Sequence, residues 1–381
     1  MISENKSVYP ICATIRNVQN VKIRTTQWRD SVKKKVKWFG FLCMGLASLL
    51  PWHIGAAADA PNWQGGVPEY QEVQGKITQD GPKLVFSDSP EMVKECGIMY
   101  RDTVQGPVRL FFHHVNDMKT DKRLAVVLRR VSLRPSSVLV GKNGVSRPNT
   151  DWLEAGKEAQ ERYYGSVPSR KPFAVLGVKD LLGSGKGLVV KPQQLVTGIV
   201  DLETDQPVEV SVLMMPMNAD LKISTDLFSI LPPDEGGHVL RGTFNTSNCH
   251  VTLEEPFDAD KNTIWGLELA DNAKNPYVTG VDATTGQKVI NYGNYGVMYD
   301  VNFRTKGKRN TILRFNPYGG PYAGEGVLDV QDKAAKYIRL PEDATSFGWS
   351  GDGENMVVGT IPADRRATFH FSPPGSSNLP I

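Results

Sequence analysis

From about residue 83 onward, short runs of β-favouring residues recur, each closed by Gly, Pro, Asn or Asp within about ten residues. That rhythm restricts the fold more than any other feature. It leaves no room for a succession of long helices, and it suits strands joined by tight turns, as in a sandwich or barrel. Gly and Pro supply 61 of 381 residues, above the usual share of about 12%. Candidate strands lie at 83–86, 108–115, 123–130, 138–140, 187–190, 195–201, 208–214, 239–244, 250–253, 264–269, 297–303, 311–315, 327–330, 356–361 and 367–371. At 208–214 the apolar Val208, Val210 and Val212 share one face of a strand.

Helical signal is confined to two places. In 151–164, Asp151 stands at a capping position with Glu154 three residues on. A second short helix is expected near 221–230. One or two helices among so many strands exclude α/β winding. The expected class is all-β, as one large or two packed β-sandwich domains. The string LPPDEGG at 231–237 is the candidate boundary. It would separate a domain at 84–230 from one at 238–381 with an extended C-terminal tail. A single large sandwich carrying this loop on its surface is the other arrangement.

The charge is unevenly spread. Residues 1–37 hold nine basic and two acidic residues, 38–58 hold none, and the remaining 323 hold 35 basic and 39 acidic. The net charge of +3 therefore belongs to the head. The body lacks the positive excess of a nucleic-acid-binding surface. KKKVK at 33–37, an apolar run from Trp38 to Leu50, Pro51 and a stretch of small residues form the pattern of a secretory signal peptide. Residues 1–58 are thus expected to be a signal peptide, with Ala56 and Ala58 at the small positions and cleavage between Ala58 and Asp59. Residues 59–83 follow as an extended N-terminal segment. A retained anchor is the competing reading, and it would be the one route to a membrane. Pro51, Trp52 and His53 cut its strongly apolar part to about 13 residues, short for a span. Cys96 and Cys249 are the two cysteines of the body, either bridged or free.

No motif specifies chemistry. His113 and His114 are adjacent, so on a strand they point to opposite faces. His238, His250 and His370 have no metal-ligand spacing. Asp258, Asp260 and Asn262 resemble the start of a calcium loop, but Thr263 and Leu269 stand where Gly and Glu belong. The glycine-rich string at 183–187 lacks the features of a phosphate loop. The string at 348–352 has Asp352 where a nucleophile elbow needs Gly. No pair of carboxylates stands out as a glycosidase pair. No catalytic residue, metal site or cofactor is expected. The unusual region is 277–326, where Tyr292, Tyr295, Tyr299, Tyr318 and Tyr322 are interleaved with Gly and Asn. Tyr292, Tyr295, Tyr318 and Tyr322 are the candidate ligand-binding residues, as a stacking platform for sugar rings. Packing of a sandwich rim is the other reading of the same residues.

The strings VLMMPMNAD (212–220), LPPDEGGHVLRGTF (231–244), GVDATTGQKVINYGNYGV (280–297), NPYGGPYAGE (316–325) and FSPPGSSNLPI (371–381) resemble secreted copper amine oxidase-like domain proteins of Gram-positive spore-forming bacteria. The resemblance covers about residues 84–381. It implies export, a Gram-positive envelope and an extracellular β module. The small domain behind the family label has no room in 59–83. The quinone-forming Thr-x-x-Asn-Tyr-Asp/Glu setting and the His-x-His copper ligands are missing, so copper amine oxidase activity is not expected. The leading expectation is a secreted or envelope-associated, non-catalytic protein contacting cell-wall polysaccharide. A secreted polysaccharide-active enzyme is the alternative. An enzyme should display a cleft with converging, pKa-perturbed acids; a binding module should display an exposed aromatic surface.

Overall fold

Alternation of apolar and polar residues along the strands builds two large sheets whose apolar faces meet. The computed structural model describes residues 67–183, 187–349 and 354–381. The expected signal peptide at 1–58 with its Ala58–Asp59 junction, residues 184–186 of the glycine-rich string and residues 350–352 of the elbow-like string lie outside the described residues. Among the described residues the class is all-β with two helices, and no sheet closes into a barrel.

The first sheet has twelve strands. Its spine is two long antiparallel strands, Gly97–Asn116 and Leu195–Pro216. The sequence reads the second of these as two strands, at 195–201 and 208–214. The structure joins them, with a register shift between Thr204 and Val208. The polar stretch between them looks like a turn in sequence but is accommodated as an irregularity. Pro207 sits inside it, where a missing N–H costs no ladder bond. One half of Leu195–Pro216 also pairs with Ser136–Val145 and the other with Lys122–Arg130.

The second sheet runs in the order Lys76–Asp80, Asn248–Thr252, Met298–Lys306, Arg366–Phe371, Gly324–Val330, Lys336–Leu340, with Phe257–Asp258 attached to Met298–Lys306. Its inward residues include Val251, Tyr299, Val301, Leu328, Phe369 and Phe371. They share one core with Leu84, Phe86, Phe111 and Phe244 of the first sheet. Each such side chain contributes about 1.5–3 kcal/mol on burial. Strand Lys83–Ser87 is buried on both faces: Leu84 and Phe86 enter this core, while Val85 enters a second one with Tyr100, Leu110 and Phe112.

Strands from both sides of 231–237 share the first sheet. Arg241–Phe244 pairs with Lys83–Ser87 and with Thr279–Asp282. The described residues therefore fall within one compact unit. Arg241 fastens that junction. Its Nε donates to Asp282 Oδ2 at 2.9 Å, and its Nη1 donates to the carbonyls of Met99 and Leu231 at 3.0 and 2.8 Å. Arg241 and Asp282 are both buried.

Helix α1 (Trp152–Gly165) begins at Asp151, whose Oδ1 accepts from Glu154 N at 3.1 Å, a cap worth about 1 kcal/mol. The helix lies directly on the strand Ser136–Val145. A Cβ on Gly144 would stand 2.0 Å from Ala159 O and 2.3 Å from Tyr163 N. Helix α2 (Leu221–Leu227) is shorter and is capped by Asp220, whose Oδ1 accepts from Ile223 N at 2.9 Å. The C-terminal tail packs along the body: Ser372 to Gly375 are buried, Asn378 N donates to Pro321 O, and Leu269 and Ile381 exchange backbone bonds. Cys96 and Cys249 are both free, so no bridge links them. Among the described residues no helix is long and apolar enough to cross a membrane.

Candidate functional site

The second sheet has one apolar face and one polar face, and the polar face is open. Strand register sets Thr78, His250, Asp300, His370, Val327 and Tyr337 side by side across six strands. The next row holds Lys76, Thr252, Asn302, Thr368 and Asp329. Adjacent residues on these strands, such as Val251, Val301, Phe369 and Leu328, point into the core. The outward rows are partly or wholly exposed, and Tyr337 is 58% exposed.

Three of the outward side chains form a bonded chain. Asp300 Oδ1 meets His370 Nδ1 at 2.5 Å, and Asp300 Oδ2 meets His250 Nδ1 at 2.9 Å. On its far side, His250 Nε2 meets Asp80 Oδ1 at 3.0 Å. An imidazolium donates to both carboxylates at once; a neutral ring donates to one. The hydrogen bond that Asp80 accepts accordingly raises the His250 pKa, and His250 lowers that of Asp80. Asn302 Oδ1 accepts from Thr368 Oγ1 at 2.9 Å in the next row. The face is thus a preordered lattice of donors and acceptors.

At its Tyr337 end the face drops into a cleft of about 360 Å³ lined by Glu161 and Gly165 of α1 and by Glu325, Lys336, Tyr337 and Arg339 of the sheet. Glu325 is buried and its Oε1 has no hydrogen-bond partner; Arg339 Nε lies 3.6 Å away. Burial, reinforced by the charge of Glu161, pushes the Glu325 carboxyl up to about 7. Arg339 also pairs with Glu161 through Nη2. One guanidinium therefore bridges the two acids.

The four tyrosines read from the sequence do not gather into a platform. Tyr322 is 0% exposed and belongs to the core, against Phe315. Tyr295 packs on that core, and its hydroxyl donates to Ser377 O at 2.8 Å. Tyr292 stacks on His238, with ring centroids 3.4 Å apart, and meets Tyr277 edge-on. Tyr318 alone of the four is largely exposed, at 56%. The dense Asn and Gly serve turn chemistry: Gly293, Asn294 and Gly296 have φ of 100°, 51° and 76°. Asn294 and Asn275 bond the buried Tyr299 hydroxyl, each at 2.6 Å.

Two other clusters have structural explanations. His113 Nε2 faces Ser376 Oγ at 3.3 Å and Glu91 at 3.7 Å. Hydroxyl and acid converge on the same nitrogen, and Nδ1 abuts Gly375. A nucleophile relay needs them on opposite nitrogens. Asp260 accepts from the backbone N–H groups of Lys308 and Arg309, so it caps a bend. Among the described residues no group of His, Cys, Asp or Glu is placed to hold a metal ion.

Sequence reasoning missed the polar face. The alternation in Lys336–Leu340 was a usable signal, since Tyr337 and Arg339 face out while Ile338 and Leu340 face in. The meeting of His250, Asp300 and His370 depends on lateral strand order, which spacing does not encode. Compared with models of known protein families and with curated proteins, the chain matches none.

Proposed function

We propose that the chain is an exported, non-catalytic protein of the cell envelope that binds wall glycan along the polar face of its second sheet. The observation that carries this reading is the six-strand row ending in the exposed Tyr337 ring. A sheet face of this kind suits an extended polymer: its length spans several sugar units, its polar groups match hydroxyls, and an aromatic ring offers a stacking surface at one end. Hydrogen bonds already present among His250, Asp300 and His370 reduce the ordering cost of binding. Export rests on the basic, apolar and small-residue pattern of the head and agrees with the resemblance to secreted envelope proteins. Fractionation should recover a mature chain beginning at Asp59 outside the cytosol, and the purified chain should sediment with wall sacculi. A full-length cytosolic chain, or failure to sediment, overturns the respective half of the reading.

A polysaccharide-active enzyme is the second reading, favoured by one observation: the buried Glu325, raised to about 7, beside Glu161 in a cleft. A carboxyl with that pKa is suited to general acid work near neutrality. Against it, the second acid of the cleft, Glu161, is engaged in an ion pair with Arg339. Release of reducing ends from wall glycan that disappears in Glu325→Gln would establish the enzyme. Binding without release, unchanged in rate by that variant, supports the non-catalytic protein.

A further inference from the structure

We propose that Arg304 and Arg366 form a binding site for a phosphate group, at the end of the polar face away from Tyr337. The two arginines are register partners on adjacent antiparallel strands and point outward with Asn302 and Thr368. Like charges directly opposite across strands repel. Neither guanidinium has an ion-pair or hydrogen-bond partner among the described residues, and both residues are exposed. They line a groove of about 260 Å³ together with Lys306, Arg365, Gln331 and Asp364.

The groove holds four cationic side chains against one carboxylate. Lys306 and Arg365 each have an acid nearby, Asp258 and Asp332, but only at 3.9 Å. Such long, exposed pairs contribute little. The body as a whole carries a slight acidic excess, so this concentration of positive charge is local. Planar guanidinium forks match the oxygens of a phosphate, and an anion between them turns their repulsion into two charge-assisted contacts. Four cations suit a phosphate better than a single carboxylate. The group could be free inorganic phosphate or a phosphodiester within a polymer lying along the face.

This site is independent of the glycan reading, and the test keeps them apart by using no sugar. The full mature chain would be titrated by calorimetry, at low salt, with inorganic phosphate, poly(glycerol phosphate) and polyglutamate. Poly(glycerol phosphate) is expected to bind, with affinity falling as salt rises. The Arg304→Gln/Arg366→Gln pair should lose about tenfold or more, as charge-assisted bonds are removed. A Lys308→Gln/Lys333→Gln pair removes the same charge from exposed positions outside the groove and should bind like the parent. Arginine-dependent binding of inorganic phosphate without the polymer would also support the site and assign it to the free ion. Equal losses in both double variants, binding of polyglutamate as tight as that of the phosphate polymer, or no binding of either phosphate probe would overturn it.

Discussion

His250 and His370 reach the two oxygens of one carboxylate, that of Asp300, from strands on either side of it. Asp80 then binds the other nitrogen of His250. The arrangement fixes three side chains of the open sheet face and ties the protonation of His250 to the fold.

Its pH dependence follows from the two shifts. Asp80 raises the His250 pKa above its ordinary value of about 6.5. The stability gained from that pairing is fully present below about 6.5 and is lost as pH rises through the folded value. His250 lowers the Asp80 pKa, so that contribution is present above about 3.9 and is lost as pH falls through the folded value. The contact is therefore strongest between about pH 4 and pH 6.5. An NMR titration should place His250 above 6.5, and Asp80→Asn should move it down. No movement would show that Asp80 does not hold the ring.

The tyrosines separate core from surface. Tyr322→Ala should cost about 3–5 kcal/mol in urea unfolding, as other large core aromatics do. Tyr318→Ala should stay within about 0.5 kcal/mol of the parent. Because the Tyr322 hydroxyl is buried without a partner, Tyr322→Phe should be neutral or slightly stabilising. A large loss in Tyr322→Phe would reveal a bond to that hydroxyl.

The strand rhythm and the Asp151 cap were legible because they are local. The alternation around Val208 marks a strand and its faces, and α1 starts where its capping residue stands. What was illegible is lateral. His250, Asp300 and His370 lie on strands 50 and more residues apart, and only sheet order makes them neighbours. Glu325 was hidden for a related reason. Flanked by Gly324 and Gly326, it reads as loop, yet it occupies a strand whose burial comes from α1 packing above it. The Tyr, Asn and Gly of 291–299 drew attention as ligand chemistry and proved to serve a turn around a buried hydroxyl.

Arg241 and Asp282 form a buried ion pair between the Arg241–Phe244 strand and the 282–286 turn. Arg241→Ala should destabilise by about 3–5 kcal/mol, because Asp282 remains buried and uncompensated. The double variant Arg241→Met/Asp282→Ala should recover part of that loss. Denaturant midpoints of the three proteins measure it. A double variant less stable than Arg241→Ala would contradict the account.

Glu325 gives the opposite slope to Asp80. Its folded pKa of about 7 lies above the unfolded value of about 4.3. The folded state then holds a proton that the unfolded state releases, so the group lowers stability as pH rises from about 4.3 to about 7. Glu325→Gln should flatten that part of the melting-temperature profile and melt higher than the parent at pH 8. Parallel profiles would place the Glu325 carboxyl at its ordinary pKa.

Binding of wall glycan along the open face of the second sheet is decided by mapping amide and side-chain NMR shifts with soluble, phosphate-free glycan fragments. Saturable shifts are expected at Tyr337, His370, Asp300 and His250, abolished by Tyr337→Ala and unaffected by Tyr318→Ala. Shifts centred on Tyr318, or none at any concentration, would contradict it.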